Sequence, residues 1–278
     1  MVRFWANVPD AFREPTHSNL PQFMSDLRLK GLVAVVTGAA SGFGECISQE
    51  YAKRGAKVVV ADLDLAKATT VANALVAKGH EALACEVDVA SSDAMKALVA
   101  AAVAKFGRID VWVNNAGMSH ANRPMLEIDE AFFDRLYQVN VKSIYLSAIH
   151  CVPVFRQQGS GCFINIGSTA AVRPRPGLSW YNGSKGAVTL LTKSFAVELA
   201  PDKIRANSIN PAIADTPLLT TFMGKDDTPE NRKQFLASIP LGRLCQPRDV
   251  ANAAVFFADP ASDYVTGVCM EVDGGRCI

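Results

Sequence analysis

The segment WYNGSKGAV, residues 180–188, places a phenol and an ammonium group four positions apart, at Tyr181 and Lys185. Side chains at this spacing share one face of a helix, so they can act on the same proton. A phenol has an ordinary pKa of about 10 and is a poor base at neutral pH. A nearby positive charge favours the phenolate and lowers that pKa, which would make Tyr181 a general acid/base. The alternative is a surface helix that carries the two residues by chance.

The same helix contains two glycines, Gly183 and Gly186. Each costs roughly 0.5–1 kcal/mol relative to alanine in the middle of a helix. We therefore expect that another part of the structure approaches this helix closely, or that its conformation matters more than its stability.

The composition restricts the class of protein. The chain has 278 residues, 49% of them hydrophobic and 20% charged, with a net charge of +1, which is typical of a globule with a sizeable core. The even balance of charges argues against nucleic acid or a membrane surface as the main partner, and no run of about 18 apolar residues predicts a transmembrane helix. Seven scattered cysteines without a C-x-x-C pair, and no secretory segment, favour a cytoplasmic protein. The four histidines are too dispersed to predict a metal site.

Short β-branched runs alternate with longer helical patterns along the chain. We predict strands at LVAVVT, KVVVAD, EALACEV, IDVWVNN, CFINIGS and KIRANSIN, with helices over 42–54, 65–79, 91–107 and 180–200. This alternation predicts an α/β fold, a doubly wound parallel sheet covered by helices on both faces. No linker interrupts residues 29–278, so we predict one domain there. Residues 1–28 form an extension: either Met24 is the true start, or Phe4, Trp5 and Phe12 pack on the body or on a neighbouring subunit.

A glycine-rich turn, TGAASGFG, separates the first strand from the first helix. Backbone N–H groups in such a turn can bind a pyrophosphate, although the spacing differs from G-x-G-x-x-G. Asp62 ends the second strand, where a carboxylate can accept hydrogen bonds from ribose hydroxyls and would repel a 2′-phosphate. Asp62 could instead cap the next helix, but Asp64 fits that role better. No Lys or Arg lies nearby, so the sequence favours NAD over NADP.

Together these motifs resemble the single-domain branch of the short-chain dehydrogenase/reductase family. The resemblance covers residues 29–275 and rests on T-G-x-x-x-G-x-G at Thr37–Gly44, Asp88–Val89, NNAG at 114–117, and the set Asn140, Ser168, Tyr181 and Lys185. It implies a Rossmann-like sheet of seven strands, with VCMEVDGG as the last, and a homotetramer. One departure is Pro211–Ala212, where the family usually has Pro-Gly, so the local turn could differ.

The resemblance also implies the roles of the site residues. Tyr181 would be the acid/base in hydride transfer between a secondary alcohol or ketone and NAD, Ser168 would hold the substrate oxygen, Lys185 would tune Tyr181 and bind ribose, and Asn140 would hold a relay water. A helix of a partner subunit would pack across this helix at its small residues, which are Gly183, Ser184, Gly186 and Ala187. The implied cofactor contacts are Gly38, Ser41, Gly42, Phe43, Gly44, Asp62, Leu63, Asp88, Val89, Asn115, Ala116, Gly117, Tyr181, Lys185, Pro211, Ile213 and Thr216.

The substrate is less well defined by the sequence. We expect it to contact Ser168, Tyr181, His120, Ala170, Trp180 and Phe222 under a lid at about 213–240, whose apolar residues suggest a partly hydrophobic substrate. Arg173 and Arg175 could bind an acidic substrate or could be solvated or interface residues. A 3-oxoacyl reductase and a sugar or cyclic-alcohol dehydrogenase both fit. A catalytically idle nucleotide sensor on the same fold is the alternative to an enzyme.

Overall fold

The computed structural model describes residues 27–278, so the expectations for the extension before Leu27 lie outside the described residues. Seven strands occur in this part of the chain: β1 (Val33–Thr37), β2 (Lys57–Asp62), β3 (Ala82–Glu86), β4 (Val111–Asn114), β5 (Gly161–Ile166), β6 (Ile204–Pro211) and β7 (Cys269–Val272). The α-helices are α1 (Gly42–Lys53), α2 (Leu65–Val76), α3 (Ser92–Phe106), α4 (Glu130–Tyr137), α5 (Ser143–Gln158), α6 (Ser179–Leu199), α7 (Leu219–Met223), α8 (Pro229–Leu236) and α9 (Pro247–Ala258).

All seven strands are parallel and form one sheet in the order β3-β2-β1-β4-β5-β6-β7. The direction of winding reverses between β1 and β4. In open sheets of this kind, ligands bind in the crevice at the carboxyl ends of the strands beside this reversal. The predicted doubly wound seven-stranded α/β fold is confirmed.

β1 and β2 consist mainly of apolar β-branched residues because helices cover both faces of the sheet, whereas β6 carries four polar residues, Arg205, Asn207, Ser208 and Asn210. In β2, Val58 and Val60 pack into the core on the side of α1, α2 and α9, whereas Val59 packs into the core beneath α3, α5 and α6. Successive side chains of a strand point to opposite faces, so one run of valines serves both cores.

The segment between β4 and β5 holds structure that the sequence patterns did not predict. Helices α4 and α5 are joined by a π-helical segment, Gln138–Lys142, which contains Asn140. The region predicted as a lid, 213–240, contains α7 and α8. Among residues 27–278, no helix combines the length and apolar character required to cross a bilayer.

Candidate active site

A cavity of about 500 Å³ opens along the carboxyl ends of the strands. Most of the predicted site residues line it. These are Gly38, Ser41, Gly42, Phe43, Asp62, Leu63, Asp88, Val89, Asn115, Ala116, Gly117, Ser168, Ala170, Tyr181, Lys185, Pro211, Ile213, Thr216 and Phe222. Four predicted residues, Gly44, His120, Asn140 and Trp180, do not line the cavity.

The glycine-rich turn is held tightly against the start of α1. Gly38 and Gly42 adopt positive φ angles of +61° and +57°. At Gly44 an added Cβ would lie 2.2 Å from the Gly38 carbonyl oxygen and 2.5 Å from Asn115 Nδ2. Gly44 therefore lies behind the turn, where the absence of a side chain lets the turn fold back on the helix.

The NNAG segment braces this turn. Asn115 Nδ2 donates to the carbonyl oxygens of Thr37 and Gly38, at 2.8 and 2.9 Å. The Thr37 hydroxyl accepts from the backbone N–H groups of Asn115 and Ala116, each at 3.1 Å. These hydrogen bonds join the end of β1 to the end of β4. They hold in place three residues that line the cavity, Gly38, Asn115 and Ala116.

Asp62 stands at the end of β2 with its carboxylate already oriented. Oδ2 accepts from the N–H of Ala40 at 3.0 Å, and Oδ1 accepts from the N–H of Asp64 at 3.1 Å. Asp64, in turn, caps α2 by accepting from the N–H of Lys67. Asp64 rather than Asp62 caps α2, as the sequence predicted, and Asp62 lines the cavity.

Asp88 lies at the same end of the cavity as Asp62, after β3. Arg135 of α4 forms an ion pair with it at 3.3 Å, and the Ala90 N–H donates to it at 3.0 Å. The hydrogen bonds from Ala90 and Arg135 hold the pKa of this carboxyl below its usual value even though partial burial opposes them. Sequence patterns did not identify Arg135, because nothing in α4 indicates that it reaches β3.

Asn140 is 2% exposed and lies behind the cavity wall. Its Nδ2 donates to the Met118 carbonyl at 2.9 Å and to Ser184 Oγ at 3.0 Å, and its Oδ1 accepts from the Met118 N–H at 2.9 Å. Through Asn140, the π-helical segment is therefore hydrogen-bonded both to α6 and to the loop after β4. Around Gly117, a Cβ would lie 3.4 Å from Asn140 Oδ1 and 3.6 Å from Lys185 Nζ, so the two polar groups flank the same glycine.

Tyr181 and Lys185 both lie on the cavity face of α6, and each is only 6% exposed. Lys185 Nζ donates to the Ile166 carbonyl at 2.8 Å and lies 5.9 Å from the centre of the Tyr181 ring. The Ser168 side chain lies at the end of β5, where its Oγ accepts from the Ala170 N–H at 3.1 Å. The end of β5 thus brings Ser168 to the face of α6 that carries Tyr181 and Lys185.

Burial dominates the electrostatics of this group. Burial raises the pKa of Tyr181 to about 12, although hydrogen bonding to Ser168 and the charge of Arg175 act to lower it. Burial also lowers the pKa of Lys185 to about 8. In the protein without cofactor the loss of water around both groups is the larger effect, so the Tyr181 pKa is raised. That Lys185 lowers this pKa together with the positive nicotinamide ring stays a prediction for the complex.

The small residues of α6 also differ from the expectation that all four face a partner subunit. Ser184 is buried and hydrogen-bonded to Asn140, so it belongs to the interior of this chain. A Cβ on Gly183 would lie 2.9 Å from the Tyr137 hydroxyl, so α4 is the part of the structure that approaches this glycine. Gly186 has no neighbour within 4 Å of such a Cβ among the described residues.

An apolar wall closes the other end of the cavity. Tyr181 packs with Leu178 and Ala170, and its ring lies edge-to-face against Phe222 of α7 with 5.2 Å between centres. Arg175 also lines this end, with its guanidinium 4.8 Å from the centre of the Phe235 ring of α8, whereas Arg173 is exposed. Arg276, close to the end of the chain, lines the same region, and no local sequence signal pointed to it.

Two residues predicted to contact substrate lie elsewhere. His120 is buried against Phe132, with Nδ1 hydrogen-bonded to the Ala121 carbonyl. Trp180 donates from Nε1 to the Met125 carbonyl and packs on Phe133. Both side chains brace the loop after β4 and do not line the cavity. Ala212, where a glycine was expected, lacks a positive φ, so the turn after β6 forms without one.

A family model described as Enoyl-(Acyl carrier protein) reductase matches residues 38–276 of this chain. The chain belongs to the short-chain dehydrogenase/reductase family. The resemblance found in its motifs is confirmed, and it extends over almost the whole described structure.

Similar proteins agree with this assignment. A 4-formylbenzenesulfonate dehydrogenase of Comamonas testosteroni is 48% identical over 252 residues, which cover 91% of this chain and 100% of the relative. A cis-4-hydroxycyclohexanecarboxylate dehydrogenase of Sinomonas cyclohexanicum is 38% identical, covering 87% of this chain and 95% of the relative. The crystal structure of a 3-ketoacyl-(acyl-carrier-protein) reductase from Brucella melitensis complexed with NADH is 44% identical, with a TM-score of 0.84, and covers 90% of this chain and 100% of that one. The chain is therefore an oxidoreductase that acts on CH–OH groups with a nicotinamide cofactor.

Proposed function

We propose that this enzyme transfers a hydride between NAD and a secondary alcohol or ketone, with Tyr181 as the general acid/base. The observation that carries the proposal is the arrangement of the cavity: Asp62 lies at one end, and Ser168, Tyr181 and Lys185 converge toward the other. When bound, the nicotinamide supplies the redox chemistry by accepting or giving the hydride. The chain supplies orientation and the proton.

The residues at the Asp62 end fit a dinucleotide. The tight turn at Gly38–Gly44 leaves the N-terminus of α1 open toward the cavity, and such a terminus favours phosphate. The Asp62 carboxylate is the group that would accept hydrogen bonds from the ribose hydroxyls. Leu63 is 62% exposed, and no Lys or Arg lies beside Asp62 in the sequence to pair with a 2′-phosphate. These features support NAD over NADP.

In alcohol oxidation, the Tyr181 oxygen takes the hydroxyl proton as the hydride leaves the carbinol carbon. In ketone reduction, the Tyr181 phenol returns that proton to the oxygen. The Ser168 hydroxyl donates to the substrate oxygen and stabilises the charge that develops on it. Lys185 has its ammonium beside the phenol and can also donate to the nicotinamide ribose. Asn140 Oδ1 keeps a lone pair beside Lys185 for the proposed relay water.

The substrate is proposed to be a cyclic secondary alcohol or its ketone. The cavity wall formed by Leu178, Ala170 and Phe222 is apolar and suits a carbon ring. The names of the two relatives, a formylbenzenesulfonate dehydrogenase and a hydroxycyclohexanecarboxylate dehydrogenase, also refer to ring compounds. We further propose that 213–240 act as the substrate lid of a single domain that spans 29–278.

We also propose a cytoplasmic homotetramer. All seven cysteines are free, which suits a reducing compartment. On the outer faces of α5 and α6, Tyr145, Ile149, Leu190 and Val197 are exposed, and apolar side chains in such a row are typical of a surface that a second subunit covers.

The test is a screen of cyclic and acyclic secondary alcohols for NADH formation, with NADP in parallel. We expect turnover of at least one cyclic alcohol, with higher catalytic efficiency for NAD. Binding of NADH without turnover of any alcohol or ketone in the panel would instead favour the nucleotide-sensing scaffold. A parent enzyme that prefers NADP would contradict the proposed role of Asp62.

A further inference from the structure

Two arginines that line the cavity contact the same segment around α8, Arg175 at Phe235 and Arg276 at Ser238. Arg175 comes from the loop before α6, and Arg276 comes from the turn after β7. The acidic residues that line the cavity, Asp62 and Asp88, lie at the other end, where β2 and β3 finish. Among residues 27–278, no carboxylate forms an ion pair with either arginine.

The chain holds both arginines in place through their backbones. Asn182 Nδ2 donates to the Arg175 carbonyl at 2.9 Å. The Asp273 carboxylate accepts from the N–H groups of Gly275 and Cys277, at 2.9 and 2.7 Å, which forms the turn that presents Arg276. The guanidinium of Arg173 donates to the Arg276 carbonyl from outside. These bonds fix the positions from which the two side chains reach the cavity.

The guanidinium groups themselves keep most of their donors available. Arg276 Nη1 donates to Ser238 Oγ at 3.2 Å, and Arg175 stacks on Phe235 without a protein hydrogen-bond acceptor in the described structure. Partial burial and the nearby charge of Arg276 lower the pKa of Arg175, and a guanidinium remains cationic at neutral pH even so. Two like charges in a partly buried position repel each other, and an anion bound between them would offset that repulsion.

We propose that Arg175 and Arg276 form a subsite for an organic anion, and that the substrate is a cyclic alcohol or ketone carrying a carboxylate or sulfonate. A guanidinium can donate two parallel hydrogen bonds to such a group, which fixes its orientation as well as its charge. With the anion held there, the rest of the molecule extends along the apolar wall toward Tyr181. The inference rests on the proposed function for the chemistry at Tyr181, but the anion subsite can be tested by binding alone.

The test measures binding by calorimetry, with and without NADH, for two matched pairs: benzoate against benzamide, and benzenesulfonate against benzenesulfonamide. We expect at least one anion to bind the parent protein roughly tenfold to a hundredfold more tightly than its neutral partner, as charged hydrogen bonds allow. Arg175→Gln and Arg276→Gln should each remove most of this preference, whereas Arg175→Lys should keep part of it.

Arg123→Gln is the matched control, because Arg123 is exposed, lies outside the cavity lining and loses the same charge. The Arg123→Gln variant should keep the parent protein's preference for each anion over its neutral partner. Equal binding of both members of each pair to the parent protein would overturn the anion subsite, and so would a preference that survives both arginine variants. NADH formation from cyclohexanol tests the proposed function separately, because that alcohol carries no anion.

Discussion

The Asp62 carboxylate accepts a hydrogen bond from the backbone N–H of Ala40, 3.0 Å away, and so joins the end of β2 to the glycine-rich turn. One carboxylate oxygen therefore helps to shape the turn while the same group faces the proposed ribose position. The residue that would select the cofactor also stabilises the loop that would hold its phosphates.

Replacing Asp62 should change cofactor choice. Asp62→Ala removes the acceptor for the ribose hydroxyls and the repulsion of a 2′-phosphate, so the preference for NAD should narrow, chiefly through weaker NAD binding. Adding Leu63→Arg should shift the preference toward NADP, because residue 63 is exposed and a guanidinium can pair with the phosphate. The measurement is the ratio of catalytic efficiencies with NAD and NADP. Discrimination of this kind reaches about a hundredfold.

Asp62→Asn is the matched control for the structural role of this side chain. It keeps an oxygen that can accept from Ala40 while removing the charge. A ratio that stays at the parent value in Asp62→Ala would contradict the assignment of Asp62 to cofactor selection.

Tyr181→Phe should strongly reduce turnover while preserving NADH affinity. The change keeps the ring against Phe222 and removes only the ionisable oxygen. General acid/base groups contribute roughly a hundredfold to ten-thousandfold, and kcat should fall by that amount. Tyr264→Phe, at a fully exposed position, should keep parent kinetics. A kcat near the parent value in Tyr181→Phe would show that Tyr181 is not the general acid/base.

The raised pKa of Tyr181 also predicts a dependence on pH. At neutral pH the phenol of the free enzyme holds its proton, which suits the reduction of a ketone. Alcohol oxidation needs the deprotonated oxygen, so its kcat/KM should increase with pH between about 7 and 9, while that of ketone reduction should not. A pH profile of kcat/KM in both directions checks this. An oxidation rate that falls over the same range would contradict it.

Lys185→Met should impair function and stabilise the cofactor-free protein. Loss of the ammonium removes its influence on Tyr181 and the proposed ribose contact, so turnover and NADH affinity should both fall. The stability effect follows from the pKa of about 8, well below the ordinary 10.5. Below pH 8 the folded protein carries the full cost of a buried charge, on the order of 3 kcal/mol at most.

Between pH 8 and 10.5 the unfolded chain binds a proton that the folded chain has lost, so the stability of the parent rises with pH. The advantage of Lys185→Met in chemical denaturation should therefore be largest at pH 7 and shrink toward pH 10. Lys193→Met, which changes an exposed lysine of the same helix, should show no such trend. A parent protein more stable than Lys185→Met at pH 7 would contradict the argument.

Local patterns predicted most of the fold. The strand Lys57–Asp62 and the Asp64 cap were predicted to the residue, because an unbroken β-branched run and a capping carboxylate act over a few neighbours. The π-helical segment around Asn140 and helices α4 and α5 were not predicted. The Asn140 side chain bonds to Met118 and Ser184, contacts that no local period encodes. Helix α4 does have a local start signal, Asp129, which accepts from the Phe132 N–H.

Most of the predicted site residues line the cavity, but their environment could not be predicted from the sequence. The four-residue spacing of Tyr181 and Lys185 showed that they share a face, yet the sign of the Tyr181 pKa shift depends on burial beneath Phe222 and Leu178. Arg175 and Arg276 come together only because the turn after β7 returns to the substrate end of the cavity. Contacts between residues about 100 positions apart depend on the order of the strands in the sheet, which no local sequence pattern specifies.

Gly44→Ala tests the tight turn. The added Cβ would overlap the Gly38 carbonyl and Asn115 Nδ2, so the turn or α1 must move. We expect a loss of about 1–3 kcal/mol in unfolding free energy, as for other overpacked positions, and a large loss of NADH affinity. Gln49→Ala, an exposed change in the same helix, should alter neither. Parent-like NADH binding in Gly44→Ala would show that the turn tolerates a side chain and is not fixed as described.

Gly186→Ala tests the proposed assembly. Within the described chain, a Cβ at Gly186 meets nothing within 4 Å, so in a monomer the change should stabilise α6 by roughly 0.5–1 kcal/mol. In the proposed tetramer, a partner helix crosses here, and the added methyl group would separate the two helices. We therefore expect normal NADH binding but a lower molar mass at low protein concentration, measured by light scattering after gel filtration. If Gly186→Ala were more stable than the parent and had the same molar mass, Gly186 would not lie in the proposed subunit contact.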